Sequence, residues 1–201
     1  MTTYRCVMAD PPWPYDNKEG SGYDVIPKQK LKTTENALQH SVREMGYSGM
    51  SIADLKAIPV ASWCEENAHL YLWVTNSFMV EGHEIARAWG FKPKTILTWV
   101  KTHQDNPQRV SMKTGYYFRG ATEHVIFAVR GSLALQTSEG VPTAFLWPRI
   151  NRHSEKPDGF RNIVEKCSPG PYLEMFARTH RDGWDVWGNE APAESQMVLV
   201  R

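Results

Sequence analysis

Two adjacent prolines directly behind an apolar run set the first boundary in this chain. Residues 4–9, Tyr-Arg-Cys-Val-Met-Ala, read as a buried strand, and Asp10-Pro11-Pro12-Trp13 ends it. Proline has no N–H and a fixed φ, so two in a row strongly disfavour continuing a sheet ladder. Each proline also drives the residue before it towards extended geometry. The chain therefore leaves its sheet near residue 10 in a stiff turn rich in acceptors, a carboxylate followed by carbonyls with no competing N–H. Trp13 adds a broad aromatic face.

Such a turn suits a flat ring that carries an amino group. The amino group of a nucleobase is a poor nucleophile because its lone pair is delocalised into the ring. If Asp10 accepts one N–H and the Pro11 carbonyl accepts the other, the nitrogen is drawn towards tetrahedral geometry and its lone pair is freed. That is catalysis by positioning and electrostatics, with no covalent enzyme intermediate. Trp13 would hold the base by stacking, worth about 1–3 kcal/mol. The same four residues also fit an ordinary strand-to-loop turn with an acid and a buried tryptophan, because Asp-Pro and Pro-Pro are common turn punctuation.

The rest of the pattern alternates strands with helices, which argues a layered α/β sheet. Strands are predicted at residues 69–75, 94–101, 123–130, 172–177 and 184–187. Residues 14–50 are polar and weakly periodic, a loop with at most one short helix. Ser51 with Asp54 resembles an N-cap that opens a helix ending before Pro59. A second helix is predicted over 78–89 with Gly90 as its C-terminal cap. A third starts with Pro157 in its first position and runs to about Cys167. Residues 102–120 read as a long polar loop.

At 201 residues the chain is long enough for one domain with a real core, taken as residues 1–201. A formal net charge of +1 gives no global basic signal, so any contact with nucleic acid rests on local patches. The three cysteines, Cys6, Cys64 and Cys167, are far apart, with no CxxC pair and no zinc spacing, so no metal site is expected. No apolar stretch approaches a membrane span and the start does not resemble a signal peptide; a reduced, cytoplasmic setting is expected. Of the eight tryptophans, Trp73, Trp89, Trp99, Trp184 and Trp187 are expected in the core.

Several further segments follow in a fixed order. They are Tyr47-Ser48-Gly49-Met50, Leu70-Tyr71-Leu72-Trp73-Val74-Thr75, Thr98-Trp99-Val100-Lys101-Thr102, Glu123-His124, His153-Ser154-Glu155-Lys156-Pro157, Glu174-Met175-Phe176-Ala177-Arg178 and Gly188-Asn189-Glu190. Together with Met8-Ala9-Asp10-Pro11-Pro12-Trp13 they resemble the adenine amino-methyltransferases that carry an Asp-Pro-Pro-Trp signature. That family uses S-adenosylmethionine. It includes the catalytic subunit of the eukaryotic messenger-RNA adenosine methylation complex and many bacterial and phage DNA methyltransferases. The resemblance covers nearly the whole chain. It implies a Rossmann-like methyltransferase fold, a mixed, mostly parallel sheet with helices on both faces and a permuted motif order. The catalytic turn comes first and the cofactor-binding strand last.

The resemblance implies site residues. Asp10, Pro11, Pro12 and Trp13 would form the catalytic turn. In open α/β sheets ligands sit beyond the carboxyl ends of strands, and Asp10 and Arg178 both lie at such ends. Lys156 would pair with the cofactor carboxylate, although alone it reads as a solvated lysine. Asp10 would also meet the cofactor ammonium. Arg178 and His180 would contact the ribose or order a loop, His180 being equally a surface histidine. Asn189 and Glu190 would bind the ribose hydroxyls, and Glu174 would support them from within its strand. Two departures stand out. No acid precedes the catalytic turn to hold the cofactor adenine, and Arg181 stands where the family often has Asn.

On the substrate side, Lys101, Arg109, Lys113 and Arg119 are interleaved with Tyr116, Tyr117 and Phe118. That mixture suits phosphate contact plus stacking, and it also fits a merely solvated loop. Lys101, Arg109, Lys113, Tyr116, Arg119 and Trp13 are therefore the expected substrate contacts. A target adenine must be flipped or single-stranded to be reached. DNA is the first expectation for the polymer and RNA the second. A homodimer or a partner subunit would supply specificity, and an inactive nucleic-acid-binding subunit is the alternative to an enzyme.

Overall fold

The computed structural model describes residues 3–15, 49–112, 117–150 and 155–188. Its centre is a seven-stranded sheet in the order β5-β3-β4-β2-β1-β6-β7. The strands are β1 (Tyr4–Ala9), β2 (Cys64–Val74), β3 (Lys92–Thr102), β4 (Thr122–Arg130), β5 (Ala144–Pro148), β6 (Tyr172–Met175) and β7 (Trp184–Trp187). β1 runs parallel to β2 and β6, β6 to β7, and β3 to β5. Only β4 is reversed, pairing antiparallel with both β2 and β3. The sheet is thus mixed and mostly parallel, as expected.

Helices cover both faces. On one side lie α1 (Ile52–Ala57), α2 (Val60–Trp63) and α3 (Met79–Ala88); on the other lies α4 (Asp158–Cys167). The side-chain period of two in a strand explains the division. Val7 and Ala9 of β1 join Leu70, Leu72 and Val74 under α1–α3, whereas Cys6 and Met8 join Tyr71 and Trp73 under Phe160 and Val164 of α4. The Trp89 indole donates to the Leu55 carbonyl at 2.8 Å and ties α3 to α1. No described helix is long and apolar enough to cross a membrane.

The local signals act as the sequence suggests. The Ser51 hydroxyl accepts from the Asp54 N–H, and α1 stops at Ile58 before the proline. Gly90, at φ +84°, follows α3 in the left-handed conformation that a C-terminal cap needs. The structure also differs from expectation: β6 stops at Met175 rather than residue 177, and α2 was not expected. β2 begins at Cys64 rather than residue 69, because Glu65, Glu66 and Asn67 break the apolar run while their backbones extend the strand. Pro157 is the N-cap of α4, one position before the helix starts. β5 was not expected; it is a five-residue edge strand with only Phe145 buried. Trp73, Trp89, Trp99 and Trp184 are buried in the core and Trp187 half-buried.

A fully buried polar chain closes the end of the sheet away from the site. The His69 ring lies with Nδ1 2.7 Å from the Ser168 hydroxyl and Nε2 3.0 Å from the Leu133 carbonyl. A carbonyl only accepts, so the network assigns the proton to Nε2. Ser168 then donates to Nδ1 and receives the Tyr71 hydroxyl at 2.8 Å. Burial lowers the His69 pKa, against a smaller opposing effect of the Leu133 bond. The unfolded chain therefore takes up this proton first, at its ordinary value near 6.5. Stability should be full above about pH 6.5 and fall as pH drops through it, by at most about 1.4 kcal/mol per unit. Denaturant unfolding of the wild type and His69→Gln between about pH 5 and 7.5 checks this. The variant should show a shallower acid-side slope, part of it remaining because burial lowers His124 as well, and equal slopes would refute the assignment.

Candidate active site

All six codirectional strands end on one rim, and the reversed strand β4 starts there. The turn Asp10-Pro11-Pro12-Trp13 leaves β1 at this rim, with the Asp10 N–H bonded to the Met175 carbonyl of β6 at 3.4 Å. Residues 49–50 clamp the turn from outside. The Met50 N–H donates to the Pro12 carbonyl at 2.8 Å. A Cβ on Gly49 would stand 2.7 Å from both the Trp13 carbonyl oxygen and Pro14 Cα, which are backbone atoms that cannot move aside alone. Gly49→Ala should displace the turn and lower unfolding stability by about 1–3 kcal/mol; an unchanged melting temperature would show that the clamp is dispensable.

The rim gathers four charges of alternating sign. The Lys156 ammonium lies 2.7 Å from Asp10 Oδ2 and 3.2 Å from Glu123 Oε2. Glu123, at the start of β4, also pairs with Lys101 at the end of β3. Each lysine sits over an indole, Lys156 Nζ 5.3 Å from the Trp73 ring and Lys101 Nζ 4.7 Å from the Trp99 ring. These surroundings shift the titrations. Burial works against the Lys156 charge, but Asp10 and Glu123 outweigh it and hold the ammonium well above its usual value. Burial also works against Glu123, and there Lys156 and Lys101 prevail and hold the carboxyl low. For Asp10 burial wins: with help from Glu123 it pushes the carboxyl up against the pull of Lys156 and Arg178.

Beside this row opens a cavity of about 240 Å³. Its walls combine apolar Met8, Trp73, Phe176 and Ala177 with the cations Lys156, Arg161 and Arg178 and the acids Asp10, Glu155, Asp158 and Glu174. Phe176 follows β6 at φ +63°, which a non-glycine residue rarely adopts, and its ring packs edge-on against Trp187. Arg161 on α4 grips Glu174 through two bonds, Nε to Oε2 at 3.0 Å and Nη2 to Oε1 at 2.8 Å. The donor set suits a ligand with a carboxylate and an ammonium at one end and a flat, apolar-faced ring at the other.

The expected residues divide into groups. Asp10, Lys156 and Arg178 line one cavity. His180 is exposed, outside the cavity lining and 3.3 Å from Asp182. Arg181 turns away, to Glu165 and Asn162 on α4. Arg109 and Arg119 are exposed on the loop between β3 and β4. Lys113, Tyr116, Asn189 and Glu190 lie outside the described residues. Two expectations need correction. Lys101 is not displayed with the loop cations: it is 8% exposed because Glu123 draws it inward. Trp13 is 4% exposed and stacks on Phe78 at 5.0 Å, so it packs the turn into the core instead of offering an open platform. Glu123 was not named as a site residue, although Glu123-His124 was among the family-like segments; the reversal of its strand, which the sequence does not show, brings it to the rim.

The ion row has a direct test. Lys156→Met removes the cation beside Asp10, so the Asp10 pKa should rise further. Glu123→Gln removes the neighbouring anion, so it should fall. Carboxyl carbon NMR titration reads both, and shifts of the same sign in the two variants would contradict the row.

A mostly parallel sheet with one reversed strand, helices on both faces and a polar cavity beyond the strand ends is a Rossmann-like methyltransferase fold. The chain belongs to the MT-A70 family of adenine N6-methyltransferases, whose pattern matches residues 4–190. It is similar to the type II methyltransferase M.MunI of Mycoplasma sp, 28% identical over 94% of this chain and 78% of that protein. It is also similar to the N(6)-adenosine-methyltransferase MT-A70-like protein of Drosophila melanogaster, 26% identical over 93% of this chain but only 27% of that protein. The human N(6)-adenosine-methyltransferase catalytic subunit METTL3 is 26% identical over 93% of this chain and 28% of its own length.

Proposed function

We propose that this protein methylates the 6-amino group of adenine in nucleic acid, with DNA as the polymer. The observation that carries the reading is the Asp10–Lys156 pair on the cavity rim, inside a chain of this family. S-adenosylmethionine would supply an electrophilic methyl group. Lys156, Arg178 and the acids of the cavity would hold its charged amino-acid end, and Trp73 and Phe176 its apolar surface. Arg109, Lys113, Tyr116 and Arg119 would meet the polymer, and Asn189 and Glu190 the ribose of the donor.

In this scheme Lys156 holds Asp10 Oδ2, which leaves Oδ1 to accept an N–H of the target amino group. The Pro11 carbonyl accepts the other. The amino lone pair, freed from the ring, forms the new C–N bond as the methyl–sulfur bond breaks and its electrons stay on sulfur. The surplus proton leaves the nitrogen towards Asp10, whose raised pKa makes it a better acceptor than an ordinary carboxylate. Asp10 must be ionised for this, so turnover should fall as pH drops through that raised value.

The DNA choice is supported by the likeness to the type II methyltransferase M.MunI, 28% identical against 26% for METTL3. RNA is the second reading, supported by the likeness to N(6)-adenosine-methyltransferases. The test offers labelled S-adenosylmethionine with duplex DNA, single-stranded DNA and RNA. Methyladenine is expected in DNA, reduced at least about 100-fold by Asp10→Ala. Label in RNA alone selects the second reading; no label on adenine in any polymer, with the donor bound, refutes both.

A further inference from the structure

One face of α4 carries a polar stripe that grips both ends of the cavity wall. Asp158, Arg161, Asn162 and Glu165 follow the i, i+3, i+4, i+7 spacing that puts side chains on a single helix face. Arg161 holds Glu174, just before the segment that forms the wall, and also Asp158 at 2.8 Å. Glu165 holds the segment's far end. It accepts from Arg181 Nε and Nη2, both at 2.9 Å, and from the Trp184 indole at 2.7 Å. Arg181 Nη2 also donates to Asn162 at 2.8 Å. Between these anchors lie Phe176, Ala177, Arg178 and Thr179, all on the cavity.

We propose that Arg181 and Glu165 are positioning residues for donor binding: their fork fixes residues 176–179 against α4, the helix whose N-terminal approach brings Lys156 to the same cavity. Arg181 therefore acts on the donor from outside the cavity. The pair is partly shielded, with side chains 28% and 32% exposed, and a two-pronged arginine–carboxylate contact gives geometric definition that a single lysine bond does not. The shared carboxylate also fixes Trp184, at the start of β7, so one glutamate sets both the exit of the wall and the strand after it. Phe176 lies within the held segment, and its positive φ persists only where neighbours over-determine it.

The inference rests on the methyltransferase reading above, and the experiment separates the two. Calorimetry with S-adenosylmethionine and steady-state kinetics are run on the wild type, Arg181→Met, Arg181→Lys and Glu165→Gln, with melting temperatures alongside. Arg181→Met and Glu165→Gln should weaken donor binding and raise the donor KM by about tenfold. The kcat and the KM for nucleic acid should stay within about twofold, a split that general loosening of the fold would not produce. Arg181→Lys, which keeps the charge and fold but loses the fork, should fall between. Wild-type binding with unchanged donor affinity in the variants overturns the inference alone, as does a fall in kcat and both affinities that tracks melting temperature. A wild type that does not bind the donor overturns the methyltransferase reading with it.

Discussion

The Lys156 ammonium, held between Asp10 and Glu123, is the contact on which the site depends. Three separate parts of the chain meet in it: the turn after β1, the first residues of β4 and the approach to α4. A buried lysine without partners would shed its proton, and two buried carboxylates without a cation would repel. Together they keep the Lys156 ammonium and the Glu123 carboxylate charged, while burial still raises the Asp10 carboxyl. Lys101 completes the row by neutralising the second oxygen of Glu123. The arrangement sets a row of paired charges on the rim, beside the cavity where the donor would lie.

The reversal of β4 makes this possible. In an all-parallel sheet the rim receives only strand ends, so Asp10 would face residues that follow strands. Because β4 pairs antiparallel with β2 and β3, its first residues arrive at that rim and Glu123 comes with them. Topology, more than any local motif, decides which acid faces Lys156.

Much of the fold was legible because its signals are local. The prolines after β1, the Ser51 cap and Gly90 after α3 each act within a few residues, and each behaves as its chemistry requires. The start of β2 was hidden because Glu65, Glu66 and Asn67 contribute backbone, not apolar side chains, to the strand. β5 was hidden for a related reason: an edge strand with one buried residue has almost no periodic signature. The site shows the same division. Asp10, Lys156 and Arg178, named from motifs, line one cavity. The burial of Lys101 and Trp13 depends on partners 22 and 65 residues away, Glu123 and Phe78. The departure at Arg181 was visible in the sequence, but its consequence, an anchor on Glu165, required the helix and the loop to be side by side.

The most direct measurement of the central claim is photochemical attachment of labelled S-adenosylmethionine followed by peptide mass spectrometry. Label on the segments that line the cavity, residues 8–10, 155–161 and 176–179, is the result expected if the rim beside Asp10 and Lys156 holds the donor. Label confined to the opposite end of the sheet, near His69 and Ser168, would contradict it.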